Sequence, residues 1–159
     1  MCSHGRCQKP KQSWQTMKSH TNLLRSPLLT FLSLQDLKGS KYFGGNTKEM
    51  IKTAVYARRL GMEMGDMTGM ADNLLDFESS INSQMEASVL IGRQLNFEKA
   101  RQLALEGKLG EAASAVLDEV GTAADFNKLN VVQKEAVAKA AGLEVAQLEQ
   151  ALIRKQEMG

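Results

Sequence analysis

The residues best suited to bind a metal lie at the amino-terminal end. Cys2, His4, Cys7 and His20 offer thiolate and imidazole, the donors zinc prefers, but their spacing is not that of a common zinc finger. Beyond Pro27 the chain contains no Cys, His, Pro or Trp, so residues 42–159 lack the usual general base, the thiolate nucleophile and the soft metal ligands together. Acidic pairs are what remain. Asp76 and Glu78 are two residues apart, and Asp118 and Glu119 are adjacent. On a helix each pair diverges, which is the geometry of a solvated face and not of a carboxylate dyad. No glycine-rich phosphate loop is present. We expect no catalytic, cofactor-binding or metal-binding residue, no small-molecule substrate, and no enzyme.

The charge distribution divides the chain. Residues 1–41 carry seven basic side chains against Asp36 alone, a balance of +6, whereas the remaining residues hold 13 basic and 17 acidic, a balance of −4. Both cysteines, both histidines, both prolines and the single tryptophan fall between Cys2 and Pro27. The first 35 residues contain no acid and eight Ser or Thr, a transit-peptide trait, but with arginine only at positions 6 and 25. The run Leu28–Leu34 is too short and too interrupted for a secretory signal. A basic arm for nucleic acid or an anionic surface is a further reading. The favoured one is a basic leader, disordered or not native to the domain, within which Leu28, Leu29, Phe31, Leu32, Leu34 and Leu37 could form one short amphipathic helix. No stretch approaches the ~20 apolar residues of a membrane span.

Residues 42–159 read as an all-α module of five or six helices with short, glycine-punctuated turns. Asn46 or Thr47 caps a helix over Thr47–Leu60, which Gly61 stops. Its apolar face is Met50, Ile51, Ala54, Val55, Ala57 and Leu60. Asp66 is the expected N-cap of one long helix near 67–94. In it Met67, Leu74 and Ile81 recur every seven residues, with Met70 and Phe77 as the second row. Gln84 and Ser88 end the pattern before the three or four heptads that a sustained coiled coil needs. The methionines there are read as adaptable core filling. After Asn96, a cap residue, come helices over Phe97–Glu106 and Leu109–Val120, a short turn capped by Thr122, and helices over Val131–Ala141 and Val145–Glu157. Gly107, Gly121 and Gly142 separate them.

Two helical pairs carry motifs. The pair over 97–112 pairs small residues with a glycine turn, as in a tetratricopeptide hairpin, but in one copy where a solenoid needs about three. In the second pair, over 137–157, Ala138, Gly142 and Leu148 have the spacing of a helix-turn-helix. Its second helix presents Glu144, Gln147, Glu149 and Gln150 before the basic Arg154 and Lys155, the reverse of a groove-reading helix. Nucleic acid is therefore disfavoured as a partner.

One longer pattern resembles a known family. Arg59-Leu60-Gly61, Asp66, the run Leu74 to Ile81, Gly92-Arg93 and Ala100 to Leu105 are similar to a block found in tail tape measure proteins of long-tailed bacteriophages. Gly121, Phe126, Leu129, Asn130, Gln133, Ala136, Ala141, Gly142 and Leu148 continue it, with Glu144 where the family commonly has a Ser or Thr cap. The resemblance covers residues 42–159 and implies a virion structural part. Such a protein works in tail length determination and tail assembly, with tail tube and other tail assembly proteins as partners. It would sit in the virion tail, or in the host cytoplasm during assembly. Such proteins are far longer and include apolar segments, so the resemblance implies a fragment or detached module. At a rise of about 1.5 Å per residue, 159 helical residues would span only about 240 Å, and the glycine stops fold the chain back well short of that. The alternatives are a helix-turn-helix DNA-binding protein (137–157) and a TPR-like helical interaction adaptor.

Overall fold

The computed structural model describes residues 41–159. The metal-ligand candidates and the apolar run of the leader therefore lie outside the described residues. The described part is all-α, with no strand. After a helical turn at 41–43, eight helices follow: α1 (Thr47–Leu60), α2 (Met64–Leu75), α3 (Phe77–Ile91), α4 (Glu98–Leu105), α5 (Leu109–Val120), α6 (Ala123–Asn127), α7 (Val131–Ala141) and α8 (Val145–Met158).

The punctuation has a local physical basis. Asn46 Oδ1 accepts from the Glu49 amide at 3.3 Å, satisfying one of the free donors at the start of α1. Asn130 and Gln133 form a reciprocal capping box at the start of α7, with distances of 2.9 and 3.0 Å. Thr122 Oγ1 accepts from the Asp125 amide at 3.1 Å and opens α6. Gly61, Gly92 and Gly142 all close their helices in the left-handed conformation.

Four expectations need correction. The long helix near 67–94 is two helices, α2 and α3, which meet at Asp76 with φ −78° and ψ 80°. The Asp76 side chain makes no cap bond there; its amide closes α2 on Asp72 O at 3.1 Å, and its carbonyl opens α3 by accepting from the Ser80 amide at 2.8 Å. The break turns the second half of the heptad away from the core: Met67, Met70 and Leu74 are fully buried, but Phe77 and Ile81 are about half exposed. Second, α2 starts three residues early, at Met64. Glu63 is the N-cap, and Asp66 sits one turn in, accepting from the Glu63 amide at 2.8 Å. Third, Asn96 does not cap the next helix; Phe97 holds that place, and Asn96 Oδ1 instead accepts from the Glu98 amide at 3.0 Å. Fourth, the buried row of α1 is Thr53, Ala54, Ala57 and Leu60, with Ile51 and Val55 exposed. Gly110 of α5 faces this row: a Cβ there would be in ordinary contact with the Thr53 Cα, at 3.6 Å.

α2 and α5 form the centre. α5 packs on α1, α2, α4 and α8, while α2 packs on α1, α3, α4 and α5. Met62, Met64, Met67, Met70, Leu74, Leu95, Phe97, Leu109, Val116, Leu117, Phe126, Leu148 and Leu152 fill the space between them. Four of the clustered methionines are therefore core residues, but Met85 is exposed. α3 lies mainly along α7, antiparallel to it: Gln133 near the start of α7 donates to Leu90 O at 2.7 Å, and Lys139 near its end lies 3.6 Å from Glu86.

The hairpin α4–α5 closes on small residues. Ala100, Ala104, Ala112 and Ala113 are all buried to within 1%. Replacing Ala113 by Leu inserts a branched side chain with nowhere to go and should cost about 1–3 kcal/mol. Thermal melts of the A113L variant should show a clearly lowered Tm; an unchanged Tm would mean that the contact is loose.

Candidate functional site

The acidic pairs are split between separate structural tasks. Asp118 accepts from Lys155 at 2.7 Å and so joins α5 to α8. Glu119 accepts from the Asn96 amide at 3.0 Å and anchors the loop before α4. Asp76 is the junction of α2 and α3, and Glu78 stands exposed in the first turn of α3. Among the described residues, no three of His, Cys, Asp and Glu come together where they could hold a metal ion.

The motif residues mostly hold helix ends. Arg93, directly after the Gly92 stop, donates to the carbonyls of Glu119 and Val120 at 2.8 and 2.9 Å. A guanidinium there satisfies two of the last free acceptors of α5 and complements its negative end. The same Arg93 borders a cavity of about 210 Å³ with Asp125 and the apolar Ile91, Val120, Phe126 and Val137. The Thr122 hydroxyl, followed by Lys128, holds the Asp125 carboxyl below the usual carboxylate range.

The helix-turn-helix spacing produces a packed corner. Ala138 and Leu148 are buried, and the Leu143 amide closes on Ala138 O at 3.0 Å around Gly142. The start of α8, which would read bases, is occupied within the module. Gln147 Oε1 accepts from the Glu144 amide at 3.1 Å, and its Nε2 donates to Asp66 on α2 at 3.0 Å. Lys155 is likewise taken up, donating to Ser114 O at 2.8 Å as well as to Asp118. α8 lies chiefly along α1 and α6. The tetratricopeptide-like pair is similarly built in, because α5 also packs on α1, α2 and α8.

Sequence reasoning missed one centre. Arg101 is only 3% exposed. It donates to Ser80 Oγ through Nε at 3.3 Å and Nη2 at 3.1 Å, and to Gln84 Oε1 at 2.6 Å. Gln84 passes the link on, donating to Leu95 O at 2.7 Å. Burial lowers the Arg101 pKa, partly offset by the exposed Glu98 carboxylate 3.7 Å away. The network ties α3, the loop after it and α4 together. Two signals could have found it: the row of small residues Ser80, Ser83 and Ala87, which marks a close-approach face, and a glutamine four residues after Ser80.

A second tether joins Lys41, Tyr42 and Asp72. Lys41 donates to Asp72 Oδ1 at 2.6 Å, and the Tyr42 hydroxyl donates to the same oxygen. These hydrogen bonds, Lys41 first, hold the Asp72 carboxyl below its ordinary value. Partial burial, then the bond to Asp72, raises the Tyr42 phenol. The tether fixes where the chain enters the module, beside the last turn of α2.

In comparisons with protein-family models, curated proteins and solved structures, none matches this chain.

Proposed function

We propose that residues 42–159 are a non-catalytic structural module of the kind found in phage tail tape measure proteins, which act in tail length determination and tail assembly, and that this module serves assembly as a compact region flanking the length-encoding part. One observation carries the reading: the residues that bear the resemblance are predominantly helix stops, caps and core contacts. Gly61, Gly92 and Gly142 stop helices, Asn130 and Gln133 cap one, and Arg93 caps another. Leu74, Ala100, Ala104, Phe126 and Leu148 are buried. A pattern devoted to helix boundaries and packing is what a mechanical part requires. The exceptions among its apolar residues are Phe77, Ile81 and Leu105, which face outward. Its partners would be tail tube and other tail assembly proteins, in the virion tail or in the host cytoplasm during assembly. Nucleic acid is not proposed as a partner, because Gln147 and Lys155 at the would-be reading helix are bound within the module.

The experiment is co-purification. The chain, extended in its reading frame and co-expressed with the neighbouring tail tube subunits, should elute with them. Elution apart from the tube subunits, together with sequence-selective duplex binding in a gel shift, would replace this reading with the DNA-binding one.

A further inference from the structure

α3 is built with its large residues outward. Ser80, Ser83 and Ala87 face the module interior, whereas Phe77, Ile81, Met85 and Val89 are 48, 43, 61 and 82% exposed. These four recur at every fourth position and so form one continuous ridge along the helix. Phe77, Ile81, Met85 and Val89 are the residue types that a helix normally buries.

We propose that this ridge is a self-association surface, on which a second copy of the chain lays its own α3 antiparallel. The spacing is self-complementary. About a two-fold axis between Ile81 and Met85, Phe77 of one copy meets Val89 of the other, and Ile81 meets Met85. Such an isologous contact closes at two copies. Charge selects the direction. A parallel arrangement would bring the two copies of Glu78 to the same end of the seam, whereas the antiparallel register places them at opposite ends. At about half exposure, four side chains of this size present roughly 400 Å² per copy, so a pair removes roughly 800 Å² of apolar surface. With the rim residues Glu78, Asn82 and Ser88 added, the contact passes the roughly 1,000 Å² that a specific interface needs, at the weak and reversible end. This surface does not depend on the tail reading.

Sedimentation equilibrium of the full chain under reducing conditions, from about 1 to 200 µM, tests it. The expected result is a reversible monomer–dimer equilibrium whose Kd rises at least about tenfold in Met85→Asp and, independently, in Val89→Lys. Ile51→Asp, at an exposed apolar position on α1, should leave the Kd unchanged. Circular dichroism of each variant confirms folding. A monomer throughout that range would overturn the proposal, as would a dimer that survives both ridge substitutions. A monomer in which Met85 resists peroxide oxidation would also overturn it, and would assign the ridge to another occupant such as residues 1–40.

Discussion

Replacing Gly142 by Ala should destabilise the module by about 2–4 kcal/mol, far more than the same change at Gly92. Both glycines are left-handed helix stops, with φ +73° and +68°. Each substitution therefore incurs the conformational cost of a Cβ in that region, about 1–2 kcal/mol. Gly92 has nothing within 4 Å of the added atom. At Gly142 the added Cβ would lie 2.7 Å from the Asn73 Cβ and 3.2 Å from the Met70 Cα. Neither obstacle is a flexible side-chain end, so the corner between α7 and α8 would have to move away from α2. Truncating Asn73 to Ala should give little relief, because its Cβ is the obstructing atom. Parallel urea melts of G142A and G92A measure the difference. Equal losses would show that the corner yields freely and is not set by its approach to α2.

Removing the Arg101 side chain should cost about 2–4 kcal/mol, from lost packing of its buried stem and from the unpaired Ser80 and Gln84 acceptors. Arg101→Met retains most of the volume and sheds the buried charge, so it should recover a large part of that loss. Arg101→Lys should not, since an ammonium cannot fork between Ser80 and Gln84. The order R101M above R101K and R101A in denaturation midpoint, at unchanged m, is the expected outcome. R101K matching the unsubstituted protein would mean that only charge matters at this site.

Helix boundaries were legible where a single residue decides them. Asn46, Thr122, Asn130, Gly61 and Gly142 act by local backbone chemistry, which a sequence displays directly, whereas the stop at Gly92 lay inside the expected long helix. The break at Asp76 was obscured because Phe77 and Ile81 continue a heptad spacing, and spacing alone does not state which face is buried. Tertiary packing decided otherwise: α7 lies along the small residues of α3, and its large residues were left outside. Arg101 was hidden for a related reason. It sits in Glu98-Lys99-Ala100-Arg101-Gln102, a row that reads as a solvated face, and only the approach of Ser80 and Gln84 from another helix makes it interior. The absence of His and Cys after position 20 was plain from the outset, and it still governs what chemistry residues 41–159 can do.

In the role proposed for them, residues 42–159 are a compact structural part of a tail assembly and not a length-encoding shaft. Electron microscopy of tubes assembled with a frame-extended protein, with and without residues 42–159, tests it most directly. A helical shaft of this length would contribute about 180 Å at 1.5 Å per residue. Deletion should sharply lower the number of tubes assembled while those that form keep nearly their full length. Tubes unchanged in both number and length, or shortened by about 180 Å, would contradict it.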